Sequence, residues 1–176
     1  LRNADTAFVR GIEFEIGTNL GYFGDAGWVP EAIRNGLPWY DLTLSLNHAR
    51  IDSEVDLGAG VGIQTSARRA LQGQSPYLTN LALTWFDPNA VHEATLLYNV
   101  AGKRISKVGL QGVPDEYEQP FDQFDFTWSR TFAENWKLRL RLRNLLDPKV
   151  EYTQGDEISR RYRKGREIAV NLEWSY

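Results

Sequence analysis

The 176-residue sequence contains neither cysteine nor methionine. Without cysteine there is no disulfide framework, no cysteine nucleophile and no thiolate ligand for a metal ion. No run of about 18 apolar residues occurs either, so the sequence predicts no transmembrane helix. The formal net charge is −3, which gives no electrostatic reason to expect a nucleic-acid partner.

The sequence also does not begin with methionine. It opens at Leu1, and no positively charged segment followed by an apolar stretch marks a signal peptide. The length fits one domain or part of a larger one. We therefore expect either a processed protein or a piece of a longer chain.

Apolar side chains recur at every second residue, which is the period of a β-strand rather than of a helix. The clearest case runs from Trp136 to Arg143, where tryptophan and leucine alternate with lysine and arginine. Other parts of the chain repeat this alternation less purely. The seven predicted strands are 5–17, 39–51, 76–86, 92–106, 121–132, 136–146 and 166–176.

The predicted connections alternate between short and long. Short turns follow residues 86 and 132, whereas 52–75, 107–120 and 147–165 are long and polar. The link 18–38 is long where a short one is expected, and Pro30 predicts one helical turn inside it. Strands of about ten residues with this alternation of turns are typical of an antiparallel transmembrane β-barrel. A soluble antiparallel barrel or sandwich shares the period of two.

The polarity of the two strand faces favours the membrane interpretation. Four cations on one face of one strand would be costly in a dry core. The aromatic residues of the other faces are too bulky for the interior of a small barrel. We therefore expect apolar faces toward lipid and charged faces toward a watery lumen. The charged residues predicted to face the lumen are Glu13, Glu15, Asp125, Lys137, Arg139, Arg141, Arg143, Glu167 and Glu173.

Aromatic residues gather at the end of the strands where the turns are short. Tryptophan and tyrosine prefer the membrane–water interface, so this placement predicts an aromatic girdle. Short turns face the periplasm in bacterial outer-membrane barrels, which places the girdle on that side. The predicted interface residues are Trp39, Trp85, Trp136, Trp174 and Tyr176.

Several short motifs together resemble a known family. They are Asn3-Ala4 with Gly11–Glu15, then Gln74–Asn80, Leu97–Ile105, Tyr117–Phe121, Asn135–Leu138 with Asn144–Asp147, and Tyr162–Arg166 leading to Trp174-Ser175-Tyr176. In this order and spacing the chain resembles the C-terminal portion of TonB-dependent outer-membrane receptors. Members of that family have a 22-stranded barrel filled by an N-terminal plug, and they take up scarce nutrients.

The resemblance implies an all-β fold in which 1–176 supplies the C-terminal strands of a larger transmembrane barrel, with the plug domain absent. It implies location in the outer membrane of a Gram-negative bacterium, no cofactor and no enzymatic activity. The implied partners are outer-membrane lipid and lipopolysaccharide, the barrel assembly machinery, and the inner-membrane TonB complex acting through the missing plug. A surface-exposed lipoprotein or another subunit is a further partner class. The implied assembly signal consists of Leu172, Trp174 and Tyr176.

The basic row Lys137, Arg139, Arg141 and Arg143 has two interpretations. It is either a wall of cross-strand ion pairs or a stripe that attracts anions along a substrate path. Acidic residues on the neighbouring predicted strands favour ion pairs. The charged residues of the long loops are interpreted first as a solvated mixture of charges. The alternative for 147–165 is contact with an anionic ligand or with lipopolysaccharide phosphates. Loop residues that are candidates for ligand contact are Arg68, Arg69, Tyr117, Arg160 and Arg161.

Catalysis finds little support in the sequence. The two histidines, His48 and His92, fall on different predicted strands, and no spacing typical of a metal site occurs. The run Gly58–Gly62 lacks the lysine and the helix that a phosphate-binding loop needs. Two alternatives to a transport receptor remain open: a small self-contained structural or adhesion barrel, and an outer-membrane hydrolase. The transported substrate is not indicated.

Overall fold

The computed structural model describes residues 6–58, 63–133 and 135–175. Within these ranges the chain forms twelve β-strands, two short helices and one 3-10 turn. In chain order they are β1 Thr6–Asn19, α1 Gly21–Asp25, α2 Glu31–Arg34, the 3-10 turn Trp39–Asp41, β2 Leu42–Asp56, β3 Arg68–Arg69, β4 Tyr77–Phe86, β5 His92–Ala101, β6 Arg104–Lys107, β7 Glu116–Glu118, β8 Asp122–Phe132, β9 Trp136–Arg143, β10 Lys149–Gln154, β11 Glu157–Arg163 and β12 Glu167–Trp174.

Seven long strands form one antiparallel sheet in the order β1-β2-β4-β5-β8-β9-β12, with the short strand β3 paired to β2. Each long strand therefore pairs with the next long strand along the chain, as in an up-and-down meander. The all-β antiparallel class predicted from the alternation is confirmed. Among the described residues the sheet is open, because β1 and β12 form its two edges and do not pair with each other.

A second sheet continues four of these strands beyond their ends. Its order is β11-β10-β7-β6, and each member is separated by a few residues from a long strand: β6 from β5, β7 from β8, β10 from β9 and β11 from β12. The single strand predicted for 92–106 is divided in the structure into β5 and β6. β7 and the β10–β11 hairpin lie in segments predicted as loops, because their alternation is short or interrupted by charged residues.

Four breaks between the two sheets coincide with motifs of the family resemblance. They contain Gly102, Pro120, the segment Asn144–Asp147 and Gly165. Asn144, Asp147 and Gly165 have positive φ angles of 56°, 44° and 84°. The Asn144 side chain donates to the Gly165 carbonyl at 2.6 Å, and the Gly165 N–H donates to Asp147 at 3.0 Å. These residues therefore form a hydrogen-bonded corner where β9 ends and β12 begins.

The link between β1 and β2 folds into a small helical unit. It contains α1, α2 and the 3-10 turn, so the predicted helical turn after Pro30 is present and α1 was missed. The indole N–H of Trp39 donates to the Arg34 carbonyl at 3.0 Å, and the Tyr40 hydroxyl donates to Asp25 at 2.5 Å. No helix among the described residues is long and apolar enough to cross a membrane.

The buried apolar side chains lie at the two ends of the long sheet rather than at its middle. Among the described residues they are Leu20, Ala26 and Val29 at the helical link, and Val55, Leu57, Ile105, Val150 and Tyr152 beside the second sheet. Between these two clusters the long strands carry no buried apolar side chain. The large sheet therefore has no hydrophobic core of its own.

The corner at Gly165 makes a testable prediction. Gly165→Ala should lower the free energy of unfolding by about 1–2 kcal/mol, because alanine is strained at a φ of 84°. The measurement is urea unfolding of the protein in lipid vesicles. Gly17→Ala is the matched control, since its new Cβ would meet only the Ser45 hydroxyl at 3.9 Å. An equal loss in both variants would contradict the assignment of strain to the corner.

Candidate functional site: the two faces of the long sheet

The register of the strands brings the apolar side chains of all seven long strands to one face. At the middle level Leu46 lies opposite Leu81, and Leu81 lies opposite Tyr98. Further along the sheet Trp128 lies opposite Leu140, which in turn lies opposite Val170. We call this surface the apolar face. The period of two in separate segments thus adds up to one surface across the sheet, and on β1 and β2 this surface also carries the Arg10–Asp52 ion pair at 2.8 Å.

The apolar face is open to its surroundings. Ile12 is 80% exposed, Ile168 is 72% exposed and Leu172 is 59% exposed. No other layer of the described chain covers these side chains. Exposed apolar patches above a few hundred Å² are unusual on soluble monomers and mark contact with a partner or a membrane.

The opposite surface, which we call the polar face, carries the charged residues predicted to face a lumen. All nine of them lie on it in register: Glu13, Glu15, Asp125, Lys137, Arg139, Arg141, Arg143, Glu167 and Glu173. This common placement follows from the pairing alone. That the polar face borders a lumen remains a prediction.

A row of amide side chains crosses the polar face at one level. The row consists of residues that pair in register on four neighbouring strands: Asn47, Asn80, Asn99 and Gln123. Asn99 donates to Asn80, and Asn80 donates to Asn47 at 3.4 Å. Asn47 then donates to the Glu13 carboxylate at 2.5 Å. Neighbouring amides thus satisfy one another and hold Glu13 at the end of the row.

The basic row on β9 is bordered by few carboxylates. Arg143 forms an ion pair with Glu167 at 3.5 Å. Asp125 uses its two oxygens for the Asn144 N–H at 2.8 Å and the Gln123 amide at 3.0 Å, both neutral donors. Glu173 lies opposite Lys137 without an ion pair between described atoms. The interpretation as a wall of ion pairs therefore holds only at Arg143.

Four of the predicted interface aromatics lie at the short-turn end of the sheet. Trp85 lies opposite Leu42, and Trp136 lies between Phe132 and Trp174 in register. The ring centroids of Trp136 and Trp174 are 6.4 Å apart. Trp39 stands in the 3-10 turn directly before β2. Of the predicted assembly signal, Leu172 and Trp174 lie on β12, and Tyr176 lies outside the described residues.

The loop cations proposed for ligand contact are occupied by partners within the chain. Arg68 contacts Asp56 at 2.8 Å, and Arg161 contacts Glu151 at 2.6 Å. Arg69 donates to Gln64 at 3.3 Å. Both ion pairs join cross-strand neighbours, in β2–β3 and β10–β11, so these residues stand on strands that the sequence assigned to loops.

The other two candidates for ligand contact take part in cation–π contacts. The Arg160 guanidinium lies 3.9 Å from the centroid of the Tyr152 ring, and Tyr117 lies beneath the Lys103 ammonium at 4.3 Å. Such cation–π contacts stabilise the second sheet itself. These contacts therefore give Tyr117 and Arg160 a structural role. The run Gly58–Gly62 lies, apart from Gly58, outside the described residues.

A buried carboxylate in the second sheet was missed from the sequence. Glu116 is 6% exposed, accepts a hydrogen bond from the Ser159 hydroxyl at 2.9 Å and lies 3.5 Å from the Lys107 ammonium. Burial raises the pKa of Glu116, but the hydrogen bond from Ser159, the charge of Lys107 and a hydrogen bond from Ser106 together outweigh it and lower the pKa below its ordinary value. Its three-residue strand is too short to show a period.

The two histidines are far from one another in the sheet. His48 contacts the Thr79 hydroxyl at 2.8 Å, whereas His92 stacks on Trp128 at the other end of the strands. Among the described residues no group of three histidine or acidic side chains could hold a metal ion.

Comparison with known proteins gives no match: no family model, curated protein or solved structure matches the chain. The family resemblance therefore rests on the residues of this chain alone.

The lowered pKa of Glu116 predicts a pH dependence of the second sheet. A carboxyl whose folded pKa is depressed contributes stability above its unfolded pKa of about 4.3, and this stability is lost as pH falls through the folded value. The urea midpoint of the wild type should therefore fall between pH about 6 and about 3. Glu116→Gln should be less stable at the higher pH and less sensitive to acid. Equal acid sensitivity in both proteins would contradict this role.

Proposed function

We propose that the long sheet is a segment of the wall of a transmembrane β-barrel in a bacterial outer membrane. The observation that carries this proposal is the division of the sheet into one continuous apolar face and one charged face, both open. Water stabilises only the charged face, and a bilayer stabilises only the apolar one. A barrel wall between lipid and an aqueous lumen is the environment that suits both.

The two edges of the sheet also support a larger barrel. β1 spans 14 residues and β12 spans 8, and each leaves one row of backbone N–H and C=O groups unpaired within the described residues. Unpaired backbone groups are not tolerated in the hydrocarbon region, so a membrane-spanning sheet must close. We infer that β1 and β12 pair with further strands of a larger barrel.

Within that barrel we propose the function of a TonB-dependent receptor, which takes up a scarce nutrient using energy from the inner membrane. The motifs of the resemblance support this proposal because they fall where the two sheets meet, at Gly102, Asn144 and Gly165. The long sheet would then span the membrane, and the second sheet would extend the strands on the extracellular side. The helical link and the tryptophans would lie at the periplasmic interface. Uptake would require the plug, and the substrate class is left open.

A self-contained structural or adhesion barrel is the second candidate. It needs β1 and β12 to pair with each other, which the open sheet disfavours. It predicts that residues 1–176 alone give a folded, protease-resistant barrel whose mobility on a gel changes on heating. The larger barrel predicts that these residues alone do not. A hydrolase is less favoured, since among the described residues the His48 ring contacts the Thr79 hydroxyl and the His92 ring stacks on Trp128, and neither ring bonds to a carboxylate.

The assignment of the two faces is tested by exchanging polarity at neighbouring positions of β9. Leu140→Arg places a charge on the apolar face between Trp128 and Val170, and it should destabilise the protein in lipid vesicles by about 2–4 kcal/mol. Arg139→Leu, on the polar face, is the matched control and should change stability by less than about 1 kcal/mol. The measurement is urea unfolding followed by tryptophan fluorescence.

Fluorescence also checks that the apolar face contacts lipid in that experiment. Lipids brominated on their acyl chains should quench the tryptophan emission of the folded wild type, because Trp128 lies on this face. Equal destabilisation by the two substitutions, or an absence of quenching, would contradict the proposed orientation.

A further inference from the structure

Two arginines at the centre of β9 have only uncharged side chains directly opposite them on the neighbouring strands. In register Arg139 lies between Ser129 and Asn171. Arg141 lies between Thr127 and Ala169. Neither flanking strand therefore presents a carboxylate directly opposite either guanidinium.

Carboxylates stand instead at both ends of the basic row. Glu173 lies opposite Lys137, and Glu167 lies opposite Arg143 with an ion pair of 3.5 Å. Neutralisation is thus confined to the ends, and the excess positive charge is concentrated on the central pair.

The central pair differs from the arginines that form close ion pairs. Arg10, Arg68, Arg104, Arg161 and Arg163 each contact a carboxylate within 3.2 Å. By contrast, no described residue forms an ion pair or a side-chain hydrogen bond with Arg139 or Arg141, although both are half-buried. A guanidinium has five donors in a planar fork that matches a carboxylate or phosphate, so two such groups side by side favour an anion.

The spacing of the pair indicates the form of that anion. Side chains two residues apart on a strand are separated by about 6.6–6.8 Å along it. Each guanidinium can bind one oxyanion group, and a ligand with two such groups can bind both guanidiniums. A long acidic polypeptide lying along β9 would meet Glu167 and Glu173 at the two ends, which disfavours it.

We propose that Arg139 and Arg141 form a binding site for a small anion with two oxyanion groups, either carboxylates or phosphates. The site rests on the proposed function in one respect, namely that this part of the polar face borders a water-filled space between the barrel wall and the plug. Ser129, Thr127 and Asn171 supply neutral hydrogen-bonding groups beside the two guanidiniums. In this role the central arginines bind the ligand, and Arg143 with Glu167 limits its length.

The test is anion binding to the complete barrel that contains this segment, in vesicles of zwitterionic phosphatidylcholine, measured by calorimetry at constant ionic strength. Adipate probes a dicarboxylate, pyrophosphate probes a diphosphate, and acetate is the monovalent reference. Wild type should bind adipate or pyrophosphate at least about tenfold more tightly than acetate, because the divalent ligands engage both guanidiniums. The arm that binds more tightly identifies carboxylate or phosphate as the natural group.

Substitutions separate the site from a general effect of charge. Arg139→Gln with Arg141→Gln should weaken binding at least about tenfold, because two charge-assisted contacts are lost. Arg10→Gln removes one positive charge at the opposite edge of the long sheet and should weaken binding less than about threefold. Replacing both central arginines by lysine keeps the charge but loses the fork, so affinity should lie between these values.

Three results would overturn the inference: equal affinity for acetate and the divalent anions, unchanged binding in the double glutamine variant, or an equal loss in Arg10→Gln. Quenching by brominated lipids is recorded on the same samples. Should the double variant fail to insert, Arg139→Gln and Arg141→Gln are tested singly. Wild type that inserts but binds no divalent anion refutes only the anion site, whereas wild type that fails to insert refutes the proposed function.

Discussion

The structure depends on one constraint: the long sheet has an apolar face and a charged face, and no layer of the described chain covers either. Ile12 and Ile168, near opposite edges, are 80% and 72% exposed. Burial of apolar area is the main favourable term in folding, and here the surroundings must supply that burial instead of the protein. A medium that is apolar on one side and aqueous on the other therefore becomes part of what stabilises the sheet.

The ends of the strands mark where that medium changes. At the end of the short turns and the helical link the strands carry Trp85, Trp136 and Trp174. At the other end the strands break, and their continuations form a sheet with its own buried residues, Ile105 and Val150. The second sheet carries a small core and closely spaced ion pairs because it can fold against itself. Between its two ends the long sheet has no such core, and its ion pairs among the described residues are Arg10–Asp52 and Arg143–Glu167.

The sequence predicted what is local to each strand. A period of two assigns every side chain of β9 to a face without knowledge of its neighbours, so the apolar face was predictable. The hairpin β10–β11 was not, since Arg160, Arg161 and Arg163 obscure its alternation. The partners of the basic row could not be predicted from the sequence either, because they depend on the register between neighbouring strands. Asp125 stands on a neighbouring strand, yet the Asn144 backbone and the Gln123 amide occupy its oxygens.

Register also separates structural charge from available charge on the polar face. Glu13 ends a row of amides, and Arg143 is held by Glu167, so substituting either removes a contact inside the protein. Arg139 and Arg141 make no such contact with described residues, and their mutual repulsion opposes folding at any dielectric constant. A pair that costs stability without an internal partner is best explained by a partner outside the sheet. That partner must be negative, and Glu167 and Glu173 on the adjacent strand restrict it to a short span.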